Sequence, residues 1–257
     1  MASLSREKTA IDSGMSLGTA VVTGASSGIG MATARRLSAE GFDLVVGARR
    51  EERLQALADE LGGRAMRLDV TDAGSVRRFR SAVPECRVLV NAAGGALGRD
   101  RIEDASDEDW LWMYETNVMG SLRMTRALLP ALEASGDGHV VMVGSIAGYE
   151  PYVGGAGYNG AKFAVRAMTK ALRLELLGRP IRVTEIAPGL VKTEFSLVRL
   201  RGDEAGAQAV YEGMTPLTAE DVAECVAFAV TRPSHVNIDV LVVLARDQSG
   251  AVTVHRQ

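Results

Sequence analysis

Ala20-Val21-Val22-Thr23-Gly24-Ala25-Ser26-Ser27-Gly28-Ile29-Gly30 is a short apolar run that passes directly into a glycine-rich loop. Met31 to Glu40 then carries helix-forming residues, and Gly41 is placed to cap that helix. The order is strand, glycine loop, helix. A helix N-terminus presents unpaired N–H groups and the positive end of a dipole, and residues without Cβ let a pyrophosphate approach the backbone. The spacing is Gly-x-x-x-Gly-x-Gly, which differs from the Gly-x-Gly-x-x-Gly of the broader dinucleotide fingerprint. A tight strand-to-helix turn that binds nothing would use the same glycines, so the rest of the chain decides.

Working outward, the same alternation repeats. Leu44-Val45-Val46 reads as a second strand that ends in Gly47-Ala48-Arg49-Arg50, before a helix from about Glu51 to Leu61. Ala65-Met66-Arg67-Leu68 ends at Asp69, and Val88-Leu89-Val90 ends at Asn91-Ala92-Ala93-Gly94-Gly95. Asp107 to Leu132 reads as one long helix capped by Ser106 or Asp107, containing Asn117 and closing near Pro130. Val140-Val141-Met142-Val143 stops at Gly144-Ser145, and a helix bearing Tyr158 and Lys162 follows. Arg182 to Ile186 closes on Pro188-Gly189, a helix spans about Thr218 to Thr231, and Leu241 to Leu244 is the last candidate strand. Continuous apolar strands alternating with helices predict an α/β fold: a Rossmann-type, doubly wound parallel sheet of about seven strands with helices on both faces. Ligands of such sheets bind beyond the C-terminal strand ends, where the informative residues of this chain cluster.

Two clusters carry chemistry. The second strand ends on Arg49 and Arg50 with no Asp or Glu. An acid there would take the ribose 2′-OH of NAD, whereas an Arg accommodates the 2′-phosphate of NADP, so the reading is NADP. Tyr158 and Lys162 stand four apart on a helix and leave one face. A phenol titrates near ~10 unaided, and a neighbouring ammonium favours its anion, which makes the pair a proton-transfer unit. An ordinary amphipathic helix supplies the same spacing often, and only the surrounding motifs distinguish the two.

Composition sets limits. With 257 residues, 47% hydrophobic and 24% charged, the chain has material for a sizeable core. One domain over residues 17–257 is expected after a flexible leader over 1–16, with Met1 or Met15 as the start. The net charge of -3 gives no reason to propose nucleic acid or an anionic membrane as partner. The polar N-terminus reads as neither a signal peptide nor a spanning helix, and a cytoplasmic location is expected. Cys86 and Cys225 lack metal-ligand spacing, and His139, His235 and His255 lie in no motif, so no metal site is assigned.

Thr23-Gly24-(x3)-Gly28-x-Gly30, Asn91-Ala92-Ala93-Gly94, Asn117, Ser145, Tyr158-(x3)-Lys162 and Pro188-Gly189 appear in order. Together they resemble the short-chain dehydrogenase/reductase family, over nearly the whole chain from about Leu17. Ala92 departs from the pattern, since many members have a second Asn there. The resemblance implies NAD(P) chemistry. Tyr158 would be the general acid in carbonyl reduction and the base in alcohol oxidation, and Lys162 would lower its pKa and bind the nicotinamide ribose. Ser145 would bond the substrate oxygen, and Asn117 would hold a water linking Lys162 to solvent. The cofactor set it implies is Gly24, Ser26, Ser27, Gly28, Ile29 and Gly30 in the loop, Arg49, Arg50 and Asp69, then Asn91, Ala92 and Gly94, with Tyr158, Lys162, Pro188, Gly189, Val191 and Thr193.

The C-terminal third, from Val183-Thr184-Glu185-Ile186 through Thr193-Glu194-Phe195 to Val254-His255-Arg256-Gln257, resembles the NADP-dependent 3-hydroxy-acid dehydrogenase subgroup, which includes serine 3-dehydrogenase. That implies small 3-hydroxy acids, or the matching 3-oxo acids and semialdehydes, as substrates. It also implies a homotetramer with the Tyr158 helix at an interface. A lid is expected near 194–216, where Arg199 would grip a substrate carboxylate; a surface salt bridge to Asp203 or Glu204 is the alternative for that side chain. The rival functions are a broad carbonyl or ketone reductase of the same family and, more remotely, a non-catalytic NADP-binding regulator.

Overall fold

The computed structural model describes residues 16–257. The expected leader and the choice of start lie outside the described residues, apart from Ser16, whose hydroxyl donates to Asp43 at 2.6 Å. The strands are β1 (Thr19–Thr23), β2 (Asp43–Ala48), β3 (Arg64–Arg67), β4 (Val88–Asn91), β5 (Gly138–Val143), β6 (Ile181–Pro188) and β7 (Val240–Val243). They form one seven-stranded sheet in the order β3-β2-β1-β4-β5-β6-β7, parallel throughout, as the alternation predicts. The chain reverses direction across the sheet between β1 and β4, and the crevice there is where a doubly wound fold binds its ligand.

Helices cover both faces, which explains why the strands are apolar without alternation. On one face lie α1 (Gly28–Ala39), α2 (Glu51–Leu61) and α9 (Ala219–Val230). Their Leu37, Leu54, Leu57, Val222 and Val226 pack with Ala20, Val22, Val46 and Ile186 of the sheet. On the other lie α3 (Ala73–Ser81), α5 (Gly120–Ala134) and α6 (Ala156–Glu175). Their Phe79, Met124, Leu128, Ala161 and Val165 pack with Val21, Val45, Leu89, Val140 and Val183. Neighbouring strand residues thus serve opposite cores, as the two-residue period of a strand requires.

The long helix expected from Asp107 to Leu132 is broken. It consists of α4 (Asp107–Tyr114), a π turn over Glu115–Met119, and α5, which runs past Pro130 to Ala134. The cause lies in Asn117. Its side-chain Nδ2 donates to the Met113 carbonyl at 2.7 Å, the carbonyl that its own backbone N–H would take in an α-helix. Ser121 does the same one turn on, donating to the Asn117 carbonyl at 2.8 Å. Side chains inserted into the ladder widen the turn. Helix α3 was not expected from the sequence; Asp72 caps it by accepting from Gly74 N–H at 2.7 Å. At the far end, Thr218 and Asp221 cap α9 reciprocally, each side chain accepting from the other's backbone N–H.

Candidate active site

The C-terminal strand ends open onto a cleft of about 530 Å³. At its floor, Gly24 has φ +67°, and a Cβ there would stand 2.8 Å from the Ala93 backbone. Only glycine lets the turns after β1 and β4 touch, so this residue sets the shape of the crevice. Ser27 precedes α1 without capping it, and the first-turn N–H groups of α1 meet the cleft through Gly28, Ile29 and Gly30. A glycine cradle on an uncapped helix N-terminus fits a pyrophosphate.

Of the residues expected to hold cofactor, the structure brings seventeen to the cleft: the six of the loop, Arg49, Arg50, Asp69, Ala92, Gly94, Tyr158, Lys162, Pro188, Gly189, Val191 and Thr193, with Ser26 and Ser27 among the loop positions. Asn91 does not line it. Its Nδ2 donates inward to Thr125 Oγ1 at 3.1 Å, so it ties β4 to α5. Arg50 bridges the cleft: it donates to Ser26 Oγ at 3.1 Å and Ser27 Oγ at 2.5 Å, and pairs with Glu194 at 2.7 Å. Arg53 pairs with the other oxygen of Glu194 at 2.6 Å, and the two arginines hold that carboxyl below its usual range. Arg49 is exposed at the rim.

The expected acid–base residues stand at the other end. Ser145 caps a short 3₁₀ turn, Ile146–Gly148, accepting from Ala147 N–H at 3.1 Å, and its hydroxyl is near enough to Tyr158 to favour the phenolate. Tyr158 is buried, with its ring tilted against Phe195 at 5.4 Å. Burial is the main influence on the phenol and pushes its pKa up, helped by Tyr152 and opposed by the Ser145 hydroxyl and the Arg199 charge. The hydroxyl therefore carries its proton at neutral pH. Lys162 is also buried, which pulls its pKa down to about 8, against the opposing field of Glu185. Its Nζ donates to the Val143 carbonyl at 2.9 Å and stands 5.7 Å from the Tyr158 ring centroid. A proton donor, a second hydroxyl and an ammonium thus converge where a carbonyl oxygen could sit.

Asn117 borders the site without lining it. Its amide brackets Gly95, donating to the carbonyl at 2.8 Å and accepting from the N–H at 3.3 Å, and a Cβ on Gly94 would stand 2.6 Å from its Oδ1. The expected lid is α7 (Phe195–Arg199) and α8 (Glu204–Ala209). It is tied down through Ser196 and Tyr211, whose hydroxyls meet at 2.7 Å, and through Arg201, which pairs with Asp109 at 2.5 Å. Arg199 turns inward and does not pair with Asp203 or Glu204. Only 9% exposed, it donates to Gly98 O at 2.9 Å, Tyr152 Oη at 2.6 Å and Gly154 O at 3.1 Å, with its guanidinium 5.6 Å from the Tyr158 ring.

Sequence reasoning missed Tyr152, Glu194 and Phe195 as cleft residues. Each sits in a loop or at a helix start, where no periodicity or spacing marks it, and only chain folding carries it to Tyr158 or Arg50. Among the described residues no group of three or more His, Cys, Asp or Glu is placed to hold a metal, and no helix is long and apolar enough to cross a membrane.

Comparison with known proteins agrees with this geometry. The family model for short chain dehydrogenases matches residues 18–202. An uncharacterized oxidoreductase of Mycobacterium tuberculosis (strain ATCC 25618 / H37Rv) is 59% identical over 232 residues, covering 90% of this chain and 92% of that protein. An NADP-dependent 3-hydroxy acid dehydrogenase of Salmonella typhi is 43% identical over 244 residues, covering 92% and 98%. The closed form of a serine dehydrogenase complexed with NADP+ superposes with a TM-score of 0.88 at 42% identity, covering 93% of this chain and 100% of that one. With the strand order, the glycine cradle and the Ser145–Tyr158–Lys162 cluster in place, the chain belongs to the short-chain dehydrogenase family, and its chemistry is that of an oxidoreductase.

Proposed function

We propose that this enzyme transfers hydride between NADP(H) and a small 3-hydroxy acid or the matching 3-oxo acid or semialdehyde. The observation that carries the substrate class is Arg199: a buried guanidinium beside Tyr158, lining the cleft, with no carboxylate within 4.0 Å among the described residues. Three of its N–H groups bond neutral oxygens, which satisfies geometry and leaves the positive charge unbalanced. A buried charge without a counterion is costly, and an anionic substrate arriving beside Tyr158 would supply one. The relatives named for 3-hydroxy acid and serine substrates support the same reading.

The cofactor supplies the hydride acceptor or donor. The chain does the rest: the cradle at Gly24 to Gly30 would hold the pyrophosphate, and Arg49, beside the engaged Arg50, would receive the 2′-phosphate. In reduction, Tyr158 Oη gives its proton to the carbonyl oxygen while Ser145 Oγ donates to the same oxygen as charge develops. In oxidation the proton returns to Tyr158, and the Lys162 ammonium favours the phenolate that receives it. Asn117 would hold a water that links Lys162 to solvent. Trp110, Leu111, Tyr114 and Phe163 are exposed on α4 and α6, which supports a homotetramer built on that face; light scattering of the purified protein checks this.

The test is NADPH formation with serine, 3-hydroxypropionate, 3-hydroxyisobutyrate and simple secondary alcohols side by side. The acids are expected to have the higher kcat/KM; secondary alcohols turned over as well would favour a broad carbonyl reductase. Cofactor choice is tested at Arg49, which is free at the rim while Arg50 is engaged by Ser26, Ser27 and Glu194. Arg49→Asp is expected to weaken NADP binding by roughly 10- to 150-fold, the value of a lost charge-assisted contact of about 1.5–3 kcal/mol, and to narrow the preference over NAD. Unchanged NADP affinity in a binding titration would remove Arg49 from the phosphate site.

A further inference from the structure

Glu185 is sealed inside the protein, 1% exposed, on β6. It lies two residues beyond Val183, so its side chain leaves the same face of the sheet, toward the core that α6 covers. Its Oε2 accepts from Tyr149 Oη at 2.9 Å, and its Oε1 has no hydrogen-bond partner. A buried carboxyl oxygen rarely goes unpaired, so its position calls for an explanation.

That position is directly behind the catalytic segment. A Cβ on Gly144 would stand 2.3 Å from Glu185 Oε1, so the residue preceding Ser145 has to be glycine for this carboxyl to fit. The residue before that, Val143, offers the carbonyl that holds Lys162 Nζ at 2.9 Å. Glu185 and Lys162 therefore flank one short segment, Val143 to Ser145. Neither belongs to a direct ion pair among the described residues, and they act on one another through the field across that segment.

The other charges facing them can be named. From α6 come Arg166, whose guanidinium lies 3.8 Å over the Tyr149 ring, and Lys170, which with Arg173 pairs with Asp239 ahead of β7. Asp239 also accepts the Glu185 backbone N–H at 3.0 Å. Burial pushes the Glu185 carboxyl up, while Tyr149 and the charges of Arg166, Lys162 and Lys170 oppose that rise.

We propose that Glu185 is a positioning residue for the hydride-transfer reaction: its buried carboxylate holds Lys162 in the ammonium form from behind the Val143–Ser145 segment, and half-buried Tyr149 governs how readily that carboxylate gains a proton. This rests on the reading of Tyr158 and Lys162 as the acid–base unit. The sign follows directly. A lysine is charged below its pKa, and a neighbouring anion raises that pKa. Removing the anion lowers the pH at which the ammonium is lost, and Tyr158 loses its electrostatic support at the same point. The alkaline limb of the rate profile then moves to lower pH.

The experiment measures kcat against pH, with thermal midpoints, for the wild-type chain and for Glu185→Gln, Tyr149→Phe and Lys162→Met. In Glu185→Gln, the ratio of kcat at about pH 9 to that at about pH 7 is expected to fall about fivefold, the effect of a drop of about one unit in a pKa near 8. Tyr149→Phe is expected to move the ratio the other way and by less, since losing the hydrogen bond that favours the carboxylate lets it gain a proton first at the lower pH, where Lys162 then loses support. A ratio equal to wild type in both variants, with only the thermal midpoints lowered, overturns the proposal and makes Glu185 structural. If Glu185→Gln does not fold, the Tyr149→Phe ratio decides alone. Lys162→Met separates the two readings: wild-type rate and profile in that variant overturn the acid–base unit and this proposal with it. An inactive Lys162→Met beside an unshifted Glu185→Gln overturns only the role of Glu185.

Discussion

Tyr158→Phe is expected to lower kcat by about 10²–10⁴-fold, the range that a positioned general acid contributes, while NADPH still binds. The structure explains why the two readouts separate. The ring is held by Phe195 at 5.4 Å and lies in the same core as Ala161 and Val165, and phenylalanine keeps all of that packing. Only the hydroxyl goes. Ser145 Oγ retains its bond from Ala147 N–H at 3.1 Å, so the 3₁₀ turn that positions it stays capped. The lost hydroxyl interaction costs about 1 kcal/mol of stability, against the several that separate the two rates. Because burial raises the Tyr158 pKa, the hydroxyl suits the donating role in carbonyl reduction without help, and deprotonation for the oxidative direction depends on nearby cations. Steady-state rates in both directions, with NADPH binding followed by fluorescence, check this. A Tyr158→Phe enzyme within tenfold of wild type would remove Tyr158 from the proton transfer.

The second large effect is expected at Arg199, and it has two parts. For activity, Arg199→Ala is expected to lower kcat/KM with 3-hydroxy acids by roughly 10- to 150-fold, corresponding to about 1.5–3 kcal/mol for a charge-assisted hydrogen bond. The methyl esters of the same acids carry no charge for the guanidinium to meet, so the preference of the wild type for acid over ester is expected to collapse. For stability, the same change strips the partner from Gly98 O, Gly154 O and Tyr152 Oη, which tie the loops at 98 and 154 to α7. Each acceptor left buried costs about 1–3 kcal/mol, and the thermal midpoint is expected to fall by about 2–4 °C for each kcal/mol. Arg199→Lys keeps the charge without the fork and is expected to recover part of the acid preference and little of the stability. An Arg199→Ala enzyme that still discriminates acid from ester as wild type does would rule out the clamp, whatever its thermal midpoint.

Much of the site was legible because short-range rules govern it. Tyr158 and Lys162 share a face because a helix repeats every 3.6 residues, and Gly24 marks a close approach because a Cβ has no room there. The inner strands β1, β4 and β5 were visible because burial on both faces removes polar residues from them. Arg49 and Arg50 were legible as charges at a strand end, but their division of labour was not. Arg50 spans from the loop serines to Glu194, 144 residues away in sequence, and no local pattern encodes that reach. Arg199 is a similar case. Its charge was plain in a segment that reads as a surface lid, and the expected alternatives of Asp203 and Glu204 were its sequence neighbours. Gly98, Tyr152 and Gly154 became its partners because α7 folds back against the loops that follow β4 and β5.

Periodicity, glycine sterics and strand-end charges act over a few residues, so the sequence by itself determined the sheet, the glycine turn and the shared helix face of Tyr158 and Lys162. Burial and electrostatic fields act between residues distant in the chain, so only the tertiary structure decided the π turn at Asn117, the inward turn of Arg199 and the placement of Glu185. Glu185 shows the difference most directly. In Val183-Thr184-Glu185-Ile186 it reads as one polar residue on a strand, and it becomes a charge behind Lys162 only when β5 and β6 pair and α6 covers them.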